Sequence, residues 1–505
     1  MEKTAAPQVY GADEISAVVL DPGSYTTQLG YAGYDHPSLV LPSYYGHNAA
    51  TDNKVFDENL LFSNSVPDVT VRRIIENNLV VDWDGAMAQY DYMAQHLEIN
   101  PAEQPLLLTE STMNSYKNKV SAMEMFFERE SFCAFYAVKQ PTAISFAHGR
   151  PNCLVVDIGH DLTTVTPIID GLCLRNQVRG TRYAGAFVNA QMKALLANKG
   201  IQYVAPFQVR DKTATYWESD ESKPVFTMKD SVASVSPSLV DFSYLRSLRE
   251  MKELLLECCM DDETTTATTL SKEELDADST RWFELPNAQN VPFTLYEREK
   301  LANSLFNPQD TITGSIVQGW ESPESGDIIK TIGTGKDLTS KDYVPLRRSK
   351  KADGEDGEDD DAVAAKDAAD STPAPATMAS DTTTAAASSN IANDTNGPAG
   401  VVKLIQSVLD NLDIDLKPQL ANNIVITGAT SLIPRLTERI NAELVLLNPS
   451  LKIRIHASGN TIERKHSSWI GGSILASLGT FHQLWVSRTE YEEVGADQLI
   501  VNRFR

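Results

Sequence analysis

Two short stretches constrain this chain more than anything else in it: Asp21-Pro-Gly-Ser-Tyr-Thr-Thr-Gln-Leu-Gly30 and Asp157-Ile-Gly-His-Asp-Leu-Thr-Thr-Val165. Each follows an apolar β-type run, Ala17–Leu20 and Leu154–Val156, and each places an Asp at the strand end, then a Gly, then hydroxyls. The pattern predicts a strand–turn–strand unit made twice, about one small domain apart. A turn rich in Gly and Ser/Thr leaves backbone N–H groups free to hold phosphate oxygens. An Asp at the strand end can orient a hydrated Mg²⁺, which usually keeps several of its waters. Two such hairpins facing each other would clamp a nucleoside phosphate from both sides. Either loop alone is also an ordinary hairpin, since Asp and Gly are common turn residues. The pair needs support from elsewhere in the chain.

Composition narrows the class. With 505 residues the chain has room for two or more domains and large cores. A net charge of −24 argues against sequence-independent binding to DNA through phosphate neutralisation. The five cysteines (133, 153, 173, 258, 259) show neither CxxC pairing nor metal-ligand spacing and read as reduced thiols. No apolar run reaches the roughly 18–20 residues a membrane span needs, and the N-terminus lacks the layout of a secretory signal. The expectation is a soluble, intracellular protein.

One segment departs from the rest. Ala352–Gly400 is Ala, Thr, Ser, Asp and Gly with almost no large apolar residue, and holds eleven acidic residues against one lysine, a net −10. Such a stretch cannot bury enough surface to offset its ordering entropy and is predicted to be disordered. Just before it, Arg347-Arg-Ser-Lys-Lys351 is a basic cluster that reads equally as a nuclear import signal and as a solvated charge run. The Glu355–Asp361 block suits basic histone tails, although solvation alone accounts for it.

The support comes from the C-terminal region. Val425-Ile-Thr-Gly-Ala-Thr-Ser-Leu-Ile-Pro434 reads as a strand running into a Gly turn and a helix. Glu463-Arg-Lys-His-Ser-Ser-Trp-Ile-Gly-Gly-Ser-Ile-Leu-Ala-Ser-Leu-Gly-Thr-Phe481 follows, then Trp485 and Tyr491. With these residues the chain resembles the actin family, in order from about Val18 to Phe504, broken by one insertion and a divergent middle. Gly23–Thr27, Gly149–His160, Tyr491–Gly495 and Asn502–Arg505 are similar to the nuclear actin-related branch rather than to conventional actin.

The resemblance implies an α/β actin-like fold: two lobes, each a mixed sheet flanked by helices, around a central nucleotide cleft. It places the first lobe at 1–180, with a modified outer loop region at about 33–78, and the second lobe with its variable outer part at 181–346. The insert follows at 347–400, 401–460 completes the second lobe, and 461–505 returns to the first. Around Tyr44, Tyr45 and His47 the outer loop lacks the apolar tip that actin inserts into a filament neighbour. Apolar positions at helical spacing from Trp469 to Trp485 read mainly as a buried core stripe, with Gly471 and Gly472 permitting close backbone approach.

Carried over by resemblance, ATP and Mg²⁺ are the implied ligands. Asp21 and Asp157 match the carboxylates that orient the Mg²⁺ shell through water. Gly23, Ser24, Tyr25 and Thr26 match the first phosphate turn, and Gly159, His160 and Asp161 the second. Gln140 falls where the family positions the attacking water. Gly185, Arg249, Lys252, Glu253, Gly428, Ala429, Thr430, Leu432 and Lys465 fall on the nucleoside contacts. Arg249, Lys252 and Glu253 stand at i, i+3 and i+4, so one helix face presents all three; an exposed Arg249–Glu253 pair is the plainer reading.

The departures matter as much. Gln28 replaces a phosphate-reaching lysine. Tyr25 replaces a Gly in the first turn, and a turn that required φ > 0 would disfavour Tyr there. Asp161 either repels phosphate or joins the metal site. Ala429 thickens a Gly-Gly turn, and Thr164 replaces the His that helps activate water. Binding retained with turnover impaired is the expectation, and no catalytic residue is claimed. The resemblance implies a nuclear subunit of chromatin-remodelling and histone acetyltransferase complexes. Its implied partners are actin, a long scaffold helix of a remodelling ATPase or acetyltransferase platform subunit, and histones or the nucleosome, with neither a membrane nor DNA bound directly. A groove near Tyr183, Ile462 and Gly479–Trp485 would receive the helix. The alternative is an active ATPase of the wider actin, heat-shock and sugar-kinase superfamily, acting as a chaperone or cytoskeletal component.

Overall fold

The computed structural model describes residues 17–57, 62, 69–213, 225–229, 235–260, 279–314, 320, 329–330 and 399–504. The basic cluster and nearly all of the acidic segment lie outside the described residues. Ala399 and Gly400, counted above with that segment, belong to the folded body instead. The Val401 amide donates to the Leu305 carbonyl at 2.9 Å, and a Cβ on Gly400 would meet Phe306 O at 1.9 Å.

The first lobe is built on β1 (Val18–Pro22), β2 (Thr26–Tyr31), β3 (Leu39–Pro42), β4 (Leu106–Glu110), β5 (Ala134–Lys139) and, far along the chain, β12 (Val486–Ser487). Their order is β12-β5-β4-β1-β2-β3. The second sheet contains β6 (Cys153–Ile158), β7 (Thr163–Ile169), β8 (Arg179–Thr181), β9 (Ile329–Lys330), β10 (Ile424–Thr427) and β11 (Ile455–His456), in the order β9-β8-β7-β6-β10-β11. The two sheets repeat one motif. In each, the strand before a phosphate turn pairs antiparallel with its hairpin partner and parallel with a strand on its other side: β1 with β2 and β4, β6 with β7 and β10. Val18 to Leu20 and Cys153 to Val156 are buried without alternation, as expected of strands covered on both faces.

This topology moves one boundary. Residues 153–180, placed above in the first lobe, belong to the second sheet and its connections, so the chain crosses over at about 148–152. The second turn can face the first across a cleft only because its strands belong to a different sheet.

The helices follow from their apolar stripes. α4 (Val401–Asn411) buries Val401, Leu404, Ile405 and Val408 against Leu154, Val156 and Val165 in the second core. In the first lobe, α1 (Gln140–Ala147) packs on α5 (Thr461–Ser477). A Cβ on Gly471 would lie 1.7 Å from Ala143 O, so only glycine allows this approach. Trp469 is fully buried, its Nε1 donating to Val19 O at 3.0 Å. The stripe beyond it divides: Leu475 and Phe481 join the core, whereas Ile474, Leu478 and Leu484 are exposed. Ile474 lies on the exposed side of α5, which ends at Ser477; Leu484 follows a 3₁₀ turn over Gly479–Gln483 and no longer keeps the period of that helix.

The outer region of the first lobe is a small antiparallel sheet of Tyr44–Asn48, Asn53–Val55 and Val69–Arg73. Tyr45 is buried against Phe56, and Tyr44 packs on Phe242 of α3 (Pro237–Leu255) at 5.3 Å. The Val71 amide donates to Ser238 Oγ at 2.9 Å, so the outer parts of the two lobes touch. Both tyrosines therefore serve internal packing. The hairpin tip at Ala50–Asn53 is polar and exposed.

Candidate functional site

Between the two sheets lies a cavity of about 610 Å³, within the range of small-molecule sites. Asp21, Gly23, Ser24, Tyr25 and Thr26 line it from one side, and Asp157, Gly159 and His160 from the other. The two turns close alike: the Gly23 amide donates to Thr26 O and the Gly159 amide to Leu162 O, both at 3.0 Å. The glycine N–H groups expected to be free are thus spent inside the turns. The amides of Ser24 and His160 have no partner among the described residues and remain for phosphate.

The two strand-end carboxylates differ. Asp21 is buried and accepts hydrogen bonds from Thr109 Oγ1, from Gln140 Nε2 at 3.1 Å and from Ser468 Oγ at 3.3 Å. Burial raises its pKa and these three donors oppose the rise. Asp157 borders the cavity with no hydrogen-bond or ion-pair partner among the described residues, and burial, then the neighbouring Asp21, pushes it up to about 7. Two neighbouring carboxylates, Asp21 buried and Asp157 half-buried, unpaired among the described residues and open to a cavity, fit a hydrated divalent cation. A cation would relieve both the desolvation and the mutual repulsion.

The departures resolve individually. Tyr25 is not among the residues with positive φ, so the turn accepts it without strain. Its ring meets His160 at 5.0 Å, joining the two turns, and the Arg249 guanidinium lies 5.0 Å from the ring centroid. Asp161, carried over as a nucleotide contact, does not line the cavity. It turns outward to Arg73 and accepts the Asn77 amide at 2.7 Å. Its charge is met there by the Arg73 guanidinium. Gln28 is buried, and its Oε1 accepts from His466 Nδ1 at 2.8 Å, a neutral contact where the resemblance implies a lysine. Thr164 is buried opposite Asp157 in the β6–β7 register and does not reach the cavity.

On the nucleoside side, Arg249, Lys252, Glu253, Gly428, Ala429, Thr430, Leu432 and Lys465 line the cavity; Gly185 does not. Gly185 opens α2 (Gly185–Asn198), and its carbonyl accepts Lys252 Nζ at 3.0 Å. A Cβ there would meet Thr430 Oγ1 at 2.6 Å, so Gly185 supports the wall from behind. Burial, then Arg249, lowers the Lys252 pKa to about 7. Arg249 and Glu253 do pair, at 3.0 Å, and Lys465 approaches Glu253 at 3.6 Å. Gly428 has φ +92°, and a Cβ would lie 2.3 Å from Ile158 O. Thr430 Oγ1 donates to Gly159 O at 2.8 Å and ties the nucleoside wall to the second turn.

Sequence reasoning missed Thr109, Ser468, His466 and Asn189. Thr109 ends the apolar run Leu106–Leu108 and was findable as another strand-end hydroxyl; Ser468 and His466 lay inside a segment already singled out. Nothing marked Asn189. In the proposed groove, Ile462 is exposed but Tyr183 is buried against Phe187 at 4.8 Å and cannot receive a partner.

Comparison with known proteins gives a consistent picture. A family model described as Actin matches residues 12–505. The chain is 38% identical to the actin-related protein 4 of Candida albicans, with all of both chains covered. It is 39% identical to that of Saccharomyces cerevisiae, 99% of each covered, and 30% identical to that of Schizosaccharomyces pombe, 97% of each covered.

Proposed function

We propose that this chain, which belongs to the actin family, is a nuclear structural subunit that holds ATP with Mg²⁺ and hydrolyses it poorly or not at all. The observation carrying this is the asymmetric cleft: Asp157 is open and unpaired beside a well-held Asp21, while position 164 offers a buried hydroxyl in place of an imidazole. Asp21 and Asp157 would hold Mg²⁺ through its waters, and the ion would neutralise phosphate charge. Ser24 and His160 present amides to the phosphates. Gln140 is committed through Nε2 to Asp21, so it positions that carboxylate. No imidazole stands at 164 to take a proton from water, and general acid–base help is typically worth about 10²–10⁴-fold.

In this reading the nucleotide stabilises a platform for partners within chromatin-remodelling and histone acetyltransferase assemblies, where the subunit pairs with actin on a scaffold helix and contributes to histone engagement. Phe146, Leu172, Ile474, Leu478 and Leu484 are exposed apolar side chains of the kind an amphipathic helix covers. The polar tip at Ala50–Asn53 lacks an apolar anchor for head-to-tail growth. Light scattering of the protein mixed with a helix from such a scaffold, with and without actin, tests the proposal. A discrete ternary complex is expected; long filaments of the protein alone, or indifference to both partners, would contradict it.

A further inference from the structure

We propose that Asn189 is a base-reading residue that makes the cleft selective for adenine over guanine nucleotides; this rests on the nucleotide-binding reading above. Asn189 lies on α2 one turn beyond Gly185, on the same helix face, and lines the cavity. It is 5% exposed, and both its Oδ1 and its Nδ2 are buried without a hydrogen-bond partner. Its neighbours on that wall are committed: Lys252 to the Gly185 carbonyl, Thr430 to the Gly159 carbonyl, Arg249 and Glu253 to each other. A buried amide with both ends unmet is costly and calls for a partner.

The nature of the orphan narrows the ligand to a group that offers one donor beside one acceptor. A phosphate or carboxylate would satisfy the N–H and leave the carbonyl facing negative charge. An amide presents one donor and one acceptor in a plane, which matches the adenine edge carrying the 6-amino group and N7. On that edge guanine offers two acceptors, O6 and N7. Turning the amide over does not help, because one end always faces a group of its own kind. A contact to a ribose hydroxyl would not distinguish the bases.

The test titrates the full-length protein with Mg-ATP, Mg-GTP and Mg-7-deaza-ATP, in which a C–H replaces N7, and repeats the set on Asn189→Leu. The wild type should bind ATP about ten- to a hundredfold more tightly than GTP, with a clear loss for 7-deaza-ATP. Asn189→Leu should bring the three affinities to within a few-fold of one another. Its nucleotide-free melting temperature should be unchanged or higher, because an unpaired buried amide has been removed. An ATP:GTP ratio unchanged by the substitution overturns the inference and leaves the nucleotide-binding reading standing. A wild type indifferent to the loss of N7 does the same, even if the variant fails to fold. A wild type that binds none of the three nucleotides overturns both.

Discussion

The first and second phosphate turns have the same letters at their key positions and opposite electrostatic situations. In the first, Asp21 is surrounded by donors from three separate elements: Thr109 at the end of β4, Gln140 opening α1, and Ser468 in α5. In the second, Asp157 has no such support and faces the cavity beside Asp21, while its neighbour Asp161 is bound outward by Arg73. The aromatic content is shared across the gap, Tyr25 from one turn against His160 from the other. The first turn is built as a fixed wall of the fold. The second is left incomplete, with an unpaired carboxylate that a cation and a ligand would complete.

That contrast is open to direct attack. The largest effect belongs to Asp21→Ala, which leaves the buried Thr109 hydroxyl and two half-buried donors, Gln140 and Ser468, without their acceptor and should lower the stability of the nucleotide-free protein by about 2 kcal/mol, read by denaturant or thermal unfolding. Asp157→Asn should leave that stability unchanged or raised, yet abolish the strengthening of ATP binding by Mg²⁺. Equal destabilisation by the two substitutions would erase the distinction between the turns. The smallest effect at neutral pH concerns His160, whose pKa burial, then Lys252, lowers from the ordinary 6.5 to about 3. As pH falls through 6.5 the unfolded chain takes up this proton and the folded chain does not, so stability is lost progressively between about 6.5 and 3. His160→Gln should flatten that part of the stability–pH curve, and an unchanged slope would show that the imidazole is not buried as described.

Much of this was legible in the residues. Apolar runs ending in Asp, then Gly and hydroxyls, are local signals, and both hairpins form in the predicted places. The Gly471 contact follows from a small residue where two helices cross. What was not legible depends on partners distant in the chain. Asp161 turns outward because Arg73, 88 residues away, is there to receive it. Tyr25 is tolerated because its turn does not require φ > 0, a fact of backbone geometry that residue type does not carry. The lobe boundary was misplaced for the same reason: strands 153–181 look continuous with what precedes them, and only the pairing of Leu154–Asp157 with Ile424–Thr427 ties them to the second sheet. The apolar stripe after Trp469 is wider than the face that packs: Ile474 is exposed within α5 itself, and Leu478 and Leu484 lie beyond the end of that helix, where its period no longer holds.

In the proposed function the cleft holds ATP and does not turn it over. Its most direct test is a single-turnover measurement on the purified full-length protein loaded with Mg-ATP, following bound nucleotide and released phosphate together. Stoichiometric nucleotide that stays ATP is expected, with phosphate released more slowly than from conventional actin under the same conditions. Phosphate release at or above the rate of conventional actin, or a protein that retains no nucleotide, would contradict it.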